Sequence, residues 1–210
     1  MEDPPPPHLH LLHSPGAGGS AASLQPWASL LSELPCVHSC TRINKCKAAS
    51  YSVACTAAAA LPLSLPLLCV AWSTTCRSAL GAARTLQGSA APAGIVCCGF
   101  PLLTPKASAD RSAELTGFAA CPVLFLTGSK DPYVPPQARA ALEAAAAAMP
   151  AGSRVLFLEG AGHSLKGHEQ AVKAAVAHFS AELLSRQKGL GSSSSSSSSG
   201  APRTAKRQRS

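Results

Sequence analysis

Two polar side chains follow apolar runs of the sequence, and as a pair they could carry out acid–base chemistry. Asp131 comes after the run "VLFLTG", and His163 follows "RVLFLEGAG", 32 positions later. A carboxylate beside an imidazole fixes its tautomer and stabilises the protonated ring, so that the imidazole can take a proton from a nucleophile. The pair predicts a reactive site if the fold brings the two loops together.

The nucleophile that such a pair would serve is less clearly marked. Its usual pattern is G-x-S-x-G, in which small residues let a strand turn sharply into a helix. Ser78 in "CRSALGAAR" is the nearest candidate, but Cys76 and Leu80 occupy the glycine positions, and the letters "STT" separate Ser78 from its strand. Ser89 in "QGSAAP" is a second candidate, although Pro92 follows too soon for a helix. Ser78 is our candidate nucleophile, with the alternative that the chain has none.

The elements that must position these side chains alternate along the sequence. Apolar runs without polar alternation predict strands that are buried on both faces, and strands linked by helices predict a parallel sheet. In such a sheet, ligands meet the carboxyl ends of the strands. We therefore expect Asp131 and His163 at the same edge, after neighbouring strands. The predicted strands lie within residues 94–103, 121–135 and 154–160, and the predicted helices span 136–152 and 169–187.

Three loops carry a resemblance to a known family. The segments "GFPLL", "CPVLFLTGSKDPYVP" and "VLFLEGAGHSLKG" resemble, in order and spacing, the dienelactone-hydrolase-like branch of the α/β-hydrolases. This branch includes the testis-expressed and NSL-complex-subunit α/β-hydrolase-like proteins, and the resemblance covers residues 94–187. It implies that Asp131 is the acid and His163 the base of a catalytic triad. "RSALGAAR" is similar to the family's Arg-Ser-Met-Gly-small-Arg, which implies Ser78 as the nucleophile.

Two functions are compatible with this resemblance. The first is a serine hydrolase acting on an ester or related small acyl substrate, with no cofactor. The second is a catalytically inactive α/β-hydrolase-like scaffold or subunit that binds protein partners, because the degraded G-x-S-x-G pattern argues against turnover. Fold alone does not decide between them.

The predicted organisation is a partial α/β-hydrolase fold of the α/β class, with a mostly parallel sheet, flanking helices and disordered termini. Residues 1–60 read as a low-order region, 61–188 as the domain, and 189–210 as a serine-rich, basic, disordered tail. The first sixty residues do not resemble the front half of the sheet. We therefore expect the chain to be a divergent or truncated member of the family that it resembles, or one in which unrelated sequence replaces the front half.

Composition limits the remaining function classes. The net charge is +8, but basic residues concentrate in "APRTAKRQRS" at the end, so nucleic-acid binding has support only through that tail. Residues 53–72 have the length of a membrane span. Pro62 and Pro66 interrupt them, however, and we predict a buried strand at residues 63–70 instead.

The nine cysteines indicate the cellular environment. Their odd number, without a recognisable signal peptide, predicts free thiols in a reducing compartment, either cytoplasmic or nuclear. Cys36, His38, Cys40 and Cys46 have metal-binding residue types but lack a second cluster, so we predict no metal site. The "GAGG" of residues 16–19 reads as a flexible run rather than a dinucleotide-binding loop.

Overall fold

One parallel sheet forms the centre of the protein. The computed structural model describes residues 8–14, 21–43, 47–63, 65–104 and 110–192. Within these ranges the strands are β1 (Leu9–Ser14), β2 (Val37–Arg42), β3 (Leu67–Trp72), β4 (Gly94–Cys98), β5 (Val123–Gly128) and β6 (Arg154–Leu158). Their order is β2-β1-β3-β4-β5-β6, and every neighbouring pair is parallel. The predicted α/β class with a parallel sheet is confirmed.

Helices cover both faces of this sheet. They are α1 (Ala21–Ser32), α2 (Ala48–Ala59), α3 (Thr74–Ala83), α4 (Ser112–Leu115), α5 (Pro136–Ala147) and α6 (Glu169–Ser192), with a 3₁₀ turn at Gly88–Ala90. Tyr51, Leu80 and Leu142 bring α2, α3 and α5 onto one face. Trp27 and Phe179 bring α1 and α6 onto the other. The central strands β3, β4 and β5 are apolar without alternation because both of their faces are buried, whereas β6 at the edge of the sheet leaves Leu156 exposed.

The order of the strands creates a switch point between β1 and β3. The chain passes from β1 to β2 on one side and then crosses to β3 on the other side of β1. Loops leaving the carboxyl ends of two such strands diverge, and the crevice between them is where open α/β sheets bind ligands. Ser14 ends β1 and Trp72 ends β3 at this point.

The first sixty residues differ from the low-order region that the sequence predicts. They contain β1, α1, β2 and α2, so β1 and β2 are strands of the half-sheet that the sequence analysis did not recognise. All six residues of β1 are buried. The sequence pattern does not predict this strand because His10 and His13 interrupt its apolar residues. Inside the fold, His10 Nδ1 satisfies its polarity with Ser39 Oγ at 2.6 Å.

The candidate membrane segment is divided between two elements. Residues 53–59 end α2, and β3 begins at Leu67, four positions later than the strand predicted over residues 63–70. No helix in the described ranges is long and apolar enough to cross a bilayer. The predictions for residues 16–19, for Cys46 and for the tail beyond residue 192 fall outside the described residues.

Candidate functional site

Asp131 and His163 meet at the carboxyl edge of the sheet, as their positions in the sequence predict. Asp131 follows β5, and His163 follows the neighbouring β6. His163 Nδ1 lies 2.9 Å from Asp131 Oδ2. The Asp131 side chain is fully buried, whereas 26% of the His163 side chain remains exposed. The imidazole can therefore contact a ligand on one side while the carboxylate holds it on the other.

The loop after β5 fixes the carboxylate. Asp131 Oδ1 accepts the main-chain N–H of Tyr133 at 2.9 Å, and the Asp131 N–H donates to Gly128 O at 3.0 Å. The Tyr133 ring packs against the His163 ring with centroids 4.4 Å apart. Both oxygens of the carboxylate thus have partners, and the imidazole has an aromatic neighbour that restricts its rotation.

A serine that the sequence analysis passed over completes the arrangement. Ser73 Oγ lies 2.9 Å from His163 Nε2. Ser73 is the single residue between β3 and α3, and its backbone has φ 52° and ψ −126°. A residue with a β-carbon rarely adopts such a conformation, and strain of about 1–3 kcal/mol is typically retained at functional sites. The backbone at Ser73 is a sharp strand-to-helix turn that presents the hydroxyl to His163.

The protons on these three groups follow from their chemistry. A carboxylate only accepts hydrogen bonds, so the hydrogen between Asp131 and His163 is on Nδ1. The neutral ring then has an unprotonated Nε2, which accepts the hydroxyl hydrogen of Ser73. A hydroxyl in this position can lose its proton to the imidazole while its oxygen attacks an electrophilic carbon.

Two glycines, Gly99 and Gly128, allow neighbouring segments to pack closely against the loop that carries His163. Gly99, which follows β4, has φ +60°, and a Cβ there would lie 2.8 Å from the main-chain oxygen of His163 and 3.2 Å from its ring. Gly128, at the end of β5, lies against the main-chain oxygens of Ala161 and Gly162. A side chain at either position would displace the loop that carries the imidazole.

Neither serine proposed from the sequence occupies the position next to His163. Ser78 lies within α3, five residues after Ser73. Ser89 lies in the 3₁₀ turn and lines a cavity with Leu67, the first residue of β3, at the opposite edge of the sheet. The reason is geometric: a nucleophile at a strand-to-helix turn must directly follow its strand, and Ser73 does so.

The sequence around Ser73 contains a modified form of the G-x-S-x-G pattern. The segment Ala71-Trp72-Ser73-Thr74-Thr75 has the spacing of G-x-S-x-G, with Ala71 and Thr75 in the two glycine positions. A search for the literal glycines rejects it. A search for a serine immediately after an apolar strand, with small residues two positions on either side, finds it.

The electrostatic setting of Ser73 favours negative charge. Ser73 precedes the first turn of α3, where the helix dipole provides a partial positive charge. Charge that develops on an attacked carbonyl oxygen at this position would be stabilised. In the part of the chain that the structure describes, no cluster of three or more His, Cys, Asp or Glu side chains could hold a metal ion.

A comparison with protein families gives a match over most of the chain. A family described as "Alpha/beta hydrolase domain" matches residues 42–184. The match includes Ser73, Asp131 and His163. No curated protein sequence matches the chain significantly.

Solved structures with the same fold have low sequence identity. Est1E from Butyrivibrio proteoclasticus has a TM-score of 0.60 and 14% identity, over 87% of this chain and 90% of that one. A putative yden-like hydrolase from Pectobacterium atrosepticum has a TM-score of 0.60 and 16% identity, over 84% and 92%. A thermophilic esterase from Thermogutta terrifontis has a TM-score of 0.59 and 15% identity, over 84% and 91%. At these identities the similarity establishes the fold.

Proposed function

Because the chain belongs to the alpha/beta hydrolase domain family, we propose that it is a serine hydrolase that cleaves an ester or related acyl bond. Ser73 is the nucleophile, His163 the general base and Asp131 the residue that orients the base. Support comes mainly from one observation, the unbroken line of hydrogen bonds from Ser73 Oγ through both nitrogens of His163 to Asp131 Oδ2. Ser73 replaces Ser78 as the proposed nucleophile.

The reaction proceeds in two halves. Ser73 Oγ attacks the acyl carbon as His163 Nε2 takes its proton, and the protonated ring then donates that proton to the leaving oxygen. Asp131 stabilises the imidazolium through Nδ1. A water activated by His163 afterwards attacks the acyl-serine, which releases the acid and restores the hydroxyl. The oxyanion formed in each half lies next to the N-terminal turn of α3, where the helix dipole favours negative charge.

Several observations favour catalysis over the inactive scaffold. A scaffold has no need for a strained serine backbone, a fully buried carboxylate or a glycine that admits the imidazole. In this structure Ser73 and Asp131 both contact the His163 ring, and Gly99 lies close to it. One of the structural relatives is a thermophilic esterase, and the proposed substrate of this chain is accordingly a small acyl compound.

Finer assignments rest on the sequence. The loops around Gly99, Asp131 and His163 resemble the dienelactone-hydrolase-like branch, and we assign the chain to that branch as part of this proposal. The eight cysteines in the described residues are free thiols. Free thiols favour a reducing compartment, cytoplasm or nucleus.

Labelling with a fluorophosphonate probe tests the proposal directly. Wild-type protein is expected to be modified at Ser73, as located by peptide mass spectrometry. Ser73→Ala and His163→Ala should abolish labelling. Ser78→Ala is the matched control because it removes a hydroxyl five residues away, inside α3, and it should label like wild type. Absence of labelling in folded wild-type protein, or labelling at Ser78, would refute the proposal and support the scaffold or the alternative serine respectively.

A further inference from the structure

Thr75 lies directly beneath the turn that carries Ser73. Its side chain is completely buried. Thr75 Oγ1 donates to the main-chain oxygen of Trp72 at 2.7 Å and accepts the main-chain N–H of Trp72 at 3.0 Å. One hydroxyl therefore binds both polar groups of the residue that precedes the serine, and holds the last peptide of β3 against the first turn of α3.

A glycine at this position could not make these contacts. In the G-x-S-x-G pattern the second glycine relieves crowding in the turn, but it has no side chain to bind the strand. The turn in this chain accommodates a β-branched residue, and the hydroxyl of that residue forms hydrogen bonds that a glycine cannot form. Threonine has few χ1 rotamers, so the hydroxyl stays in place at little further entropic cost.

Two more hydroxyls continue the contact away from the turn. Ser14 Oγ, at the end of β1, donates to Thr75 Oγ1 at 2.9 Å. The hydroxyl of Tyr51 in α2 contacts Ser14 Oγ. Both side chains are fully buried, and burial raises the pKa of the Tyr51 hydroxyl well above its ordinary value, so it remains a donor. Donation thus runs in one direction, from Tyr51 to Ser14 to Thr75 to the Trp72 carbonyl.

This network connects three elements at the switch point between β1 and β3. Ser14 immediately precedes the connection from β1 to α1, and Thr75 belongs to the first turn of α3. Buried polar groups that are fully satisfied make a local structure rigid, and loss of one member leaves the others unpaired. Catalytic groups must keep their geometry to within a fraction of an ångström.

We propose that Thr75, supported by Ser14 and Tyr51, is a positioning residue that holds Ser73 in its strained conformation and its hydroxyl within reach of His163. This role rests on the proposed function. Where the usual pattern has a glycine, the Tyr51–Ser14–Thr75 network holds the turn through hydrogen bonds.

The test compares Thr75→Val with Thr85→Val. Valine keeps the shape of threonine but leaves the Trp72 peptide groups and Ser14 without their partner. Thr85 is a matched control because its Oγ1 also donates to the carbonyl three residues earlier, Ala82 O at 2.9 Å, at the far end of α3. The readouts are the second-order rate of fluorophosphonate labelling and the thermal midpoint of each folded variant.

Thr75→Val is expected to slow labelling about tenfold or more, since loss of a buried hydrogen-bond partner is typically of that size. Thr85→Val should label within about twofold of wild type. Thr75→Ser, which restores the hydroxyl, should recover most of the rate, and a purely structural role of Thr75 would not produce this recovery. The midpoint of the pH–rate profile should be unchanged in Thr75→Val because the contact between Asp131 and His163 is intact.

The outcomes separate this inference from the proposed function. Wild-type protein that labels at Ser73 together with a Thr75→Val variant that labels equally fast would overturn only the positioning role. Absence of labelling in wild type would overturn the proposed function and this role with it. If Thr75→Val does not fold, Tyr51→Phe decides: removal of its hydroxyl should slow labelling about threefold or more, and an unchanged rate would overturn the role.

Discussion

Asp131 connects the main chain of one loop to the side chain of the next. Its Oδ1 accepts the N–H of Tyr133, and its Oδ2 lies on His163 Nδ1, each at 2.9 Å. The first bond fixes the plane of the carboxylate, and the second transfers that orientation to the imidazole. The loop after β5 therefore sets the direction of a ring carried by the loop after β6.

Replacement of Asp131 by asparagine should reverse the proton positions on His163. The amide can keep its oxygen on the Tyr133 N–H, which turns its NH₂ toward Nδ1 and forces the ring hydrogen onto Nε2. That nitrogen can then no longer accept the Ser73 proton, and kcat for a p-nitrophenyl ester should fall about 10⁴-fold. Steady-state kinetics would measure the change, with KM little altered.

Asp110→Asn is the matched control for that variant. Asp110 Oδ1 also accepts the N–H two residues later, that of Ser112 at 2.7 Å, but on an exposed segment. Its kcat should equal that of wild type. If Asp131→Asn retains more than about a tenth of wild-type kcat, the assigned role of Asp131 in orienting the base is wrong.

Gly99→Ala should displace the imidazole. A Cβ at this position would lie 2.8 Å from His163 O, in a backbone with φ +60°. A misplacement of about 1 Å can cost about 10²-fold in rate, and we expect a loss of that size in ester hydrolysis. Gly117→Ala separates the clash from the backbone strain, because Gly117 has φ +65° and a Cβ added there would meet nothing within 4 Å. It should lose about 1 kcal/mol of stability and keep its activity; equal activity losses in the two variants would contradict the explanation.

His13 should make the fold sensitive to mild acid. Burial, together with the charge of Arg42 on the adjacent strand, lowers the pKa of His13 from 6.5 to about 4. Between these values the unfolded chain binds a proton that the folded protein does not, so the free energy of unfolding falls as the pH decreases from 6.5 toward 4. The expected loss is on the order of 2 kcal/mol.

Urea unfolding at pH 7 and pH 4.5 would measure this effect. His13→Gln should reduce the difference between the two pH values, because glutamine does not titrate. His178→Gln, an exposed histidine on α6, should leave the difference as in wild type. The same pH difference in wild type and His13→Gln would show that another group controls acid stability.

Cys121 should resist alkylation in the folded protein. Burial, followed by the neighbouring Cys97 and Cys55, raises the pKa of the Cys121 thiol to about 12. At pH 8 only about one thiol in 10⁴ would then be ionised, and the thiolate is the reactive form. Iodoacetamide at pH 8, followed by peptide mass spectrometry, should modify the half-buried Cys36 but not Cys121. After unfolding, both should react; modification of Cys121 in the native state at a rate comparable to Cys36 would contradict the prediction.

The back half of the fold was predictable because its signals are local. The runs before Asp131 and His163 are uniformly apolar and end at glycines, and parallel strands bring their following loops to one edge. These facts alone predict that the two side chains meet at one edge of the sheet, and the structure places them 2.9 Å apart. The helix predicted over residues 169–187 extends only five residues further, to Ser192.

The front half and the serine were not predictable by the same rules, for physical reasons specific to each. β1 contains His10 and His13, which the tertiary structure buries, and pattern analysis counts them as polar. Ser73 lacks flanking glycines, and the position two residues after it holds Thr75, whose hydroxyl contacts Trp72 and Ser14. The contact with Ser14 joins residues 61 positions apart, so the literal G-x-S-x-G motif does not reveal it.

The order of the three groups along the chain has a consequence for biosynthesis. The Ser73 hydroxyl emerges from the ribosome ninety residues before the imidazole that it contacts. Because synthesis proceeds from the N-terminus, five of the six strands in the described residues are complete before β6 begins at Arg154. A nascent or shortened polypeptide that stops before β6 carries the serine and the carboxylate without a base, so the proposed chemistry cannot begin until His163 has been synthesised.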